Sequence, residues 1–206
     1  MSIEIKISKK PIEYNKAINY LEKRVKSVKE NNGDELLWIL SHPSTYTAGI
    51  SSKNTEILDK KINVIKTNRG GKITWHGPGQ KIFYFVINLS KRDKDIRKFI
   101  NNIEKIIIMT LKEYKIESFA DRENVGIWVK KKNKILKIAA IGVKIRKWIA
   151  YHGFSVNINN DLQKYNKIIP CGIKKKGLTN LSKIKKQSYK TFEIKLIKNF
   201  FKCFKS

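Results

Sequence analysis

Apolar residues form short runs or alternate with polar residues in seven parts of the chain, which is the pattern of β-strands. A strand places successive side chains on opposite faces, so alternation predicts a half-buried strand and a short apolar run predicts a fully buried one. The polar turn at residues 131–134 predicts a hairpin between two of them. The seven predicted strands are residues 3–7, 36–40, 63–66, 82–87, 125–129, 135–145 and 148–158.

Three other segments carry apolar residues at helical spacing. The first follows Pro11, has a stripe that includes Ala17 and Leu21, and is closed by Gly33. The second covers residues 93–114, and the third covers the phenylalanine-rich tail at residues 189–204. No internal repeat and no linker interrupts this order, so the pattern predicts one domain over residues 1–206 that mixes helices and strands.

Glycine is concentrated in residues 69–80, which contain four glycines between two predicted strands. Glycine permits positive φ and lets a backbone approach a ligand closely, so this stretch predicts a binding loop rather than a simple turn. A second polar stretch, residues 41–49, follows another predicted strand. We expect it to form a loop that opens beside the glycine-rich one.

The charge is extreme, at +28 over 206 residues. Only six of the 45 basic residues are arginines, and the lysines are spread over every segment. This distribution favours a solvated lysine surface, since nucleic-acid sites typically use arginine forks in a concentrated patch. We therefore expect no specific nucleic-acid partner. A basic surface still speeds the encounter with an acidic protein.

Cysteine content and apolar run lengths bear on the compartment. Cys171 and Cys203 are the two cysteines, too few for a disulfide framework, and no Cys or His spacing is typical of a metal site. No signal-peptide pattern and no apolar stretch of ~18 residues occurs in the sequence. The sequence therefore predicts a cytoplasmic protein without a membrane partner or a bound metal.

Cys171 lies between Pro170 and Gly172, a setting suited to a nucleophile at a turn. A lone cysteine is by default a packing residue, so both interpretations stay open here. An unperturbed thiol, with a pKa of about 8.5, needs a neighbouring base or cation to become a thiolate. Lys137 is one candidate because apolar residues surround it in sequence, although it could equally point to solvent from a half-exposed strand. Other candidates are His42, His76 and His152, which we otherwise expect to hold loop backbone.

Four blocks, in this order, resemble the signature of the lipoyl(octanoyl) transferase family: residues 69–80, 137–142, 152–157 and 169–173. Residues 41–47 and 124–128 add supporting matches. The joint pattern covers most of the chain and is more specific than any single block. The resemblance implies an α+β fold shared with biotin-protein and lipoate-protein ligases, a single domain with a mixed, mainly antiparallel sheet flanked by helices around an acyl tunnel.

The resemblance also implies a reaction, the first step of protein lipoylation. An octanoyl or lipoyl group passes from acyl carrier protein to Cys171 as a thioester, with Lys137 tuning the thiol, and then to a lysine of a lipoyl domain. The implied acceptors are the lipoyl domains of 2-oxoacid dehydrogenase complexes and the glycine cleavage H protein. No cofactor is needed, because thioester exchange is near balance and amide formation from a thioester is downhill. We expect the enzyme to be a monomer.

The acyl-binding positions implied by the family lie in three of the blocks. Trp75 stands where a tyrosine is usual in the family, so the tunnel wall is expected to differ there. The implied substrate-binding residues are Arg69, Gly70, Gly71, Lys72, Ile73, Thr74, Trp75, His76, Ala140, Ile141, Gly142, Gly153, Phe154 and Ser155.

Two other functions compete with this one. A lipoate-protein ligase shares the fold but activates a free acid with ATP and needs no nucleophilic cysteine. A basic nucleic-acid-binding protein belongs to a different class, but aromatic and basic residues are not interleaved here as in a stacking platform.

Overall fold

The computed structural model describes residues 2–170 and 177–204. Its helices are α1 (Tyr14–Lys29), α2 (Ile96–Lys112), α3 (Leu181–Ile184) and α4 (Phe192–Phe204), with 3-10 turns at Asn54–Glu56, Leu89–Lys91 and Leu162–Lys167. Its strands are β1 (Ile3–Ile7), β2 (Glu35–Leu40), β3 (Thr45–Ala48), β4 (Val64–Lys66), β5 (Ile73–His76), β6 (Gln80–Asn88), β7 (Phe119–Ala120), β8 (Ile127–Lys131), β9 (Lys134–Arg146), β10 (Ile149–Asn157) and β11 (Gly177–Leu178).

The larger sheet has the order β1-β2-β6-β10-β9-β8-β7, and β11 pairs with β9 outside this path. Its pairings are antiparallel except for β1 with β2 and β11 with β9. A smaller sheet has the order β4-β3-β5. The architecture is therefore a mixed, mainly antiparallel sheet with helices against it, as the motifs predict.

Helices cover both faces of the larger sheet, and strand β2 shows why. Its residues Leu37 and Ile39 pack in a core cluster with α2 and α4, while Leu36 and Trp38 pack in a second cluster with α1. Side chains of a strand alternate between faces, so a continuous apolar run is buried on both sides. This placement confirms the prediction of a fully buried strand at residues 36–40.

The helix that packs on the second face differs from prediction at both ends. Helix α1 begins at Tyr14 with Glu13 as its N-cap, so Pro11 precedes the helix instead of lying in its first turn. The reversal after the helix uses Asn31, at φ +57°, rather than Gly33. Asparagine tolerates this left-handed conformation better than most residues, which explains why it can replace glycine there.

Two predicted loops contain strands. The polar stretch at residues 41–49 includes β3, and the glycine-rich stretch at residues 69–80 includes β5. These strands pair antiparallel, with Thr45 opposite His76 and Thr47 opposite Thr74. The expectation that the two stretches lie side by side is confirmed, while their assignment as loops is wrong. In the described part of the chain, no helix is both long and apolar enough to cross a membrane.

Candidate functional site

A cavity of about 370 Å³ lies between the central strands of the larger sheet and residues 69–76. Its walls include every described residue implied by the family motifs except Ile73 and Trp75. The wall residues are Arg69, Gly70, Gly71, Lys72, Thr74, His76, Lys137, Ala140, Ile141, Gly142, Gly153, Phe154 and Ser155. The structure therefore brings together three blocks that are separated by up to 86 positions in sequence, from 69 to 155.

Ile73 and Trp75 face away from the cavity because β5 obeys strand alternation. Both pack in a separate apolar cluster with Tyr46 and Tyr165. The indole nitrogen of Trp75 donates a hydrogen bond to Ser44 Oγ at 3.0 Å. The expected change of the tunnel wall at Trp75 is therefore not seen, since this side chain belongs to the packing behind the wall.

Lys137 is buried, with 3% of its surface exposed, although it carries a charge. Its Nζ donates a hydrogen bond to the carbonyl oxygen of Val125 at 2.8 Å and lies 4.9 Å from the ring centre of Trp128. A carbonyl oxygen and an aromatic face both stabilise an ammonium that has lost its water. Lys137 thus reaches the cavity and does not point to solvent.

Gly126 makes room for the Lys137 side chain. This glycine has φ +136°, and a Cβ built on it would lie 2.6 Å from Lys137 Cε and 2.7 Å from the carbonyl oxygen of Ala139. Real Cβ atoms do not approach other heavy atoms so closely, and L-residues rarely adopt this backbone conformation. The position is therefore restricted to glycine as long as Lys137 keeps its place.

An irregularity in the β8 and β9 pairing places Lys137 on the cavity side. The register shifts between Ile127 and Trp128, which pair with Ala139 and Lys137 respectively, so β9 has one extra residue, Ile138, at this point. Such a bulge changes which side chains face one side of a strand. Lys137, Ala140 and Gly142 consequently line the cavity, while core residues such as Ile138 and Val143 face the helices.

Cys171, the predicted nucleophile, lies outside the described residues. Gly177 and Leu178, the first residues described after it, pair with the strand that carries Lys137. Leu178 is the register partner of Lys137, and the backbone nitrogen of Thr179 donates a hydrogen bond to the Lys137 carbonyl at 2.9 Å. Before it in sequence, the backbone nitrogen of Ile169 donates to the carbonyl of Glu56 at 2.7 Å.

Arg69 ties the glycine-rich block to the neighbouring strand β3. Its guanidinium donates hydrogen bonds to the carbonyl and the hydroxyl oxygen of Thr47, both at 2.8 Å, and to the carbonyl of Gly70 at 3.0 Å. Gly70 passes close to the larger sheet, since a Cβ there would lie 2.6 Å from the carbonyl oxygen of Val143. Arg69 therefore holds the glycine-rich block against β3, and Gly70 lets the same block lie close to β9 on the other side of the cavity.

The three histidines are buried and neutral near pH 7. Burial lowers the pKa of His42 to about 4, and burial together with the Arg69 charge lowers the pKa of His76 and His152 to about 3; His42 also lowers that of His76. His42 Nδ1 contacts the Ile12 carbonyl at 2.6 Å, which confirms the expected backbone role for that residue. The other two instead contact side chains, His76 with Gln80 at 2.7 Å and His152 with Asn68 at 2.8 Å.

Several cavity residues were not identified from the sequence. Some lie on strands whose register decides their position, and register across distant strands is not visible in one sequence. For example, Ile82 and Tyr84 on β6 are opposite Ser155 and Gly153 on β10. The residues missed are Ser51, Ile82, Tyr84, Glu123, Asn124, Val125 and, as a wall residue, His152. Within the described residues, no cluster of His, Cys, Asp or Glu has the arrangement of a metal site.

This fold and this arrangement of motifs match a known family. The sequence profile of the lipoyl protein ligase A/B catalytic domain matches residues 13–202 of the chain. The chain belongs to this family. The membership confirms the family predicted from the sequence motifs, and with it the fold class.

Individual relatives agree with this assignment. The octanoyltransferase of Wolbachia sp. subsp. Brugia malayi (strain TRS) is 42% identical over 205 residues, which cover 98% of this chain and 100% of that protein. The crystal structure of lipoate-protein ligase A bound with ATP has a TM-score of 0.79 at 18% identity, covering 100% of this chain and 86% of that one. A bipartite lipoate protein ligase from Thermoplasma acidophilum, studied with its E2 lipoyl domain, has a TM-score of 0.74 at 14% identity, covering 99% and 85% of the two chains.

Proposed function

We propose that the protein is an octanoyltransferase that moves an octanoyl group from acyl carrier protein to a lysine of a lipoyl domain through a thioester on Cys171. The observation that carries the proposal is the buried Lys137 ammonium in the cavity wall, on a strand that pairs with β11 at Gly177 and Leu178. Octanoyltransferase is the name of a relative that shares 42% of its residues over nearly the whole chain. Residues 1–206 then form a single catalytic domain.

The first step of the reaction is a thioester exchange. The Cys171 thiolate attacks the thioester carbonyl of the donor, a carbon-sulfur bond to the enzyme forms, and the bond to the carrier thiol breaks. The carrier leaves as a thiolate that takes up one proton. The Lys137 ammonium favours the reactive form, because a nearby positive charge stabilises a thiolate relative to a thiol.

The second step passes the acyl group to an amine. The neutral ε-amine of the acceptor lysine attacks the acyl-enzyme carbonyl, an amide bond forms, and the bond to sulfur breaks so that Cys171 leaves as a thiolate. The proton lost by the amine goes to solvent or to the leaving sulfur. Covalent catalysis of this kind predicts ping-pong kinetics, in which the deacylated carrier protein is released before the acceptor reacts.

The cavity walls suit an alkyl chain. Ala140, Gly142 and Gly153 contribute little side-chain volume, and Ile82 and Phe154 contribute apolar surface. Burying each methylene of a chain in such surroundings is favourable by about 0.8 kcal/mol. The volume of about 370 Å³ is within the range of small-molecule pockets. We assign the wall residues of the three motif blocks to acyl binding on this basis.

The acceptor class follows from the family. The Thermoplasma ligase was studied with an E2 lipoyl domain, and we infer that this chain acts on the same kind of domain. The expected acceptors are lipoyl domains of 2-oxoacid dehydrogenase complexes and the glycine cleavage H protein. The charge of +28 favours acidic partners, and we expect a monomer to be the active form.

The decisive experiment is intact-mass analysis after incubation with octanoyl-acyl carrier protein. The wild-type chain should gain one octanoyl group, and Cys171→Ala should gain none, whereas Cys203→Ala should behave as the wild type. An adduct that persists in Cys171→Ala, or that never forms in the wild type, contradicts the proposal. Incubation with free octanoate and ATP tests the competing ligase activity, which requires no carrier protein and no Cys171.

A further inference from the structure

The carboxylates of the chain are distributed unevenly, although its basic residues are spread along its whole length. Residues 124–192 contain 17 basic residues and a single acidic one, Asp161, and therefore carry a net charge of +16. The remaining 137 residues carry +12, because their 28 basic residues are offset by 16 acidic ones. A third of the chain thus holds more than half of the charge. This third includes the strand that carries Lys137, so its surface needs an explanation.

Strand register places several other side chains on the same face of the sheet edge as Lys137. Trp128 is the register partner of both Lys137 and Phe119, so these three side chains share one face. Two residues farther toward the hairpin turn, Lys130 and Ile135 are partners on that same face. At the usual rise of a strand, they lie roughly 7 Å beyond the pair of Lys137 and Trp128.

Three large apolar side chains are exposed in this part of the molecule. Phe119 and Ile135 each have 39% of their surface exposed, although they neighbour the buried pair of Trp128 and Lys137. Val125, whose carbonyl accepts the Lys137 hydrogen bond, is 48% exposed. Exposed aromatic and aliphatic side chains grouped beside a cavity are typical of a surface that contacts another protein.

Lysines border this apolar group at the tip of the β8–β9 hairpin. Lys130, Lys132 and Lys134 are exposed, and within the described residues no carboxylate forms an ion pair with them. Other surface lysines do have such a partner, as Lys167 has in Asp59 at 3.0 Å. An apolar centre bordered by ammonium groups favours a partner with carboxylates at the rim of its own contact surface.

We propose that these exposed side chains form the docking surface for the acidic carrier protein that delivers the acyl group. The docking surface consists of Phe119, Val125, Lys130, Lys132, Lys134 and Ile135. The inference rests on the proposed acyltransferase function and assigns its donor to one face of the molecule. A carrier bound there has its thioester near the end of the cavity marked by Lys137, because the backbones of Phe119 and Lys137 are two strand spacings apart, about 10 Å.

The composition of the docking surface favours a protein over a nucleic acid. It has one aromatic ring and no arginine, whereas nucleic-acid surfaces typically combine arginine forks with several stacking rings. Two of its six side chains, Val125 and Ile135, are aliphatic and offer nothing that a phosphate backbone would bind.

The test replaces three lysines together, as Lys130→Gln, Lys132→Gln and Lys134→Gln, which removes their charges and keeps their approximate length. The measured quantity is kcat/KM for octanoyl-acyl carrier protein divided by kcat/KM for the octanoyl thioester of a small neutral thiol. We expect this ratio to fall about tenfold at low salt, because charges at the rim of an interface mainly speed association. Most of the fall should disappear at about 0.5 M salt, where exposed charges are screened.

A matched control removes three exposed lysines from the helices on the opposite face of the sheet, as Lys105→Gln, Lys112→Gln and Lys198→Gln. The net charge of the chain changes by the same amount. The ratio in this variant should stay within about twofold of the wild type, because these charges lie away from the docking surface.

Phe119→Ala tests the apolar part of the docking surface separately. It should raise KM for the carrier donor about fivefold and leave KM for the small thioester unchanged, because only the carrier covers this ring. The effect should persist at high salt, since contact between apolar groups is not screened. A loss of stability alone would affect both donors equally.

An unchanged ratio in the folded triple variant at low salt overturns the inference, and so does an equal fall in the control variant. If the triple variant keeps the ratio but loses affinity for a single-stranded oligonucleotide, the surface binds nucleic acid and the inference is wrong. A wild type that forms no acyl adduct with either donor would instead overturn the proposed function.

Discussion

The Lys137 ammonium donates a hydrogen bond to the carbonyl of Val125, with Nζ and O 2.8 Å apart. Gly126, the next residue, has no side chain, and this leaves the space through which the lysine passes. We predict that Gly126→Ala displaces Lys137 and slows octanoyl transfer at least about tenfold, because the added Cβ conflicts with both Cε and the Ala139 carbonyl. Steady-state kinetics with octanoyl-acyl carrier protein measure this effect.

Gly33→Ala is the matched control for that substitution. A Cβ at Gly33 would meet the hydroxyl of Ser27, which is the end of a side chain that can rotate away. This variant should keep wild-type kinetics. Wild-type rates in Gly126→Ala would show that Lys137 keeps its place or is not needed, and would contradict the prediction.

Replacing Lys137 itself separates its charge from its volume. Lys137→Met keeps a long, unbranched side chain in the same apolar surroundings but removes the ammonium. We expect formation of the octanoyl adduct to slow about 100-fold or more, since an unassisted thiol is mostly protonated at neutral pH. Rapid-quench mass spectrometry measures the rate.

The stability of Lys137→Met should not fall by more than about 1 kcal/mol, because replacing a buried charge by an apolar side chain of similar size is often neutral or stabilising. Urea unfolding of both proteins checks this. A slow adduct rate in a variant of normal stability assigns the effect to the charge. Unchanged rates would move the activating role to another group, with His76 the first candidate in the cavity wall.

The buried histidines predict that stability falls in mild acid. Their pKa values, about 4 for His42 and about 3 for His76 and His152, lie below the ordinary value of 6.5. As pH falls below 6.5, the unfolded chain binds protons that the folded chain does not, so the free energy of unfolding decreases. Each histidine contributes a slope that approaches about 1.4 kcal/mol per pH unit.

Urea unfolding between pH 7.5 and 5 measures this slope before most carboxylates titrate. His152→Asn removes one of the three groups and should reduce the slope by about a third. Equal stability of the wild type at pH 7.5 and pH 5 would mean that the three rings are protonated as easily in the folded chain as in the unfolded one.

The charge of +28 predicts a salt effect that depends on the donor. With an acidic carrier protein as donor, kcat/KM should fall about tenfold between 0.05 and 0.5 M salt, because screening weakens long-range attraction. With the octanoyl thioester of a small neutral thiol, it should change less than about twofold. Equal salt dependence for the two donors would indicate that the lysine surface takes no part in the encounter.

The sequence predicted the elements in which local pattern and tertiary packing agree. The apolar stripe of α1 and the double-sided apolar run of β2 are examples, since burial follows directly from the spacing of their residues. The motif blocks also predicted most of the cavity wall. These features depend on short-range periodicity and on residue identity, both of which a single sequence contains.

Other features depend on contacts between distant parts of the chain. Strand β5 has four residues inside a glycine-rich stretch, and it is stable because it pairs with β3, which lies 25 to 31 positions earlier, from the pair Ala48–Ile73 to the pair Thr45–His76. Strand alternation then decides that Thr74 faces the cavity and Trp75 does not. Neither the pairing nor its register can be read from composition.

The bulge at Ile138 also constrains how this enzyme can vary over time. Because one extra residue brings Lys137 and Ala140 to the same side of β9 although they are three positions apart, losing the bulge at this chain length would place the two side chains on opposite faces. Homologous genes should therefore keep the bulge wherever three positions separate the lysine from the alanine.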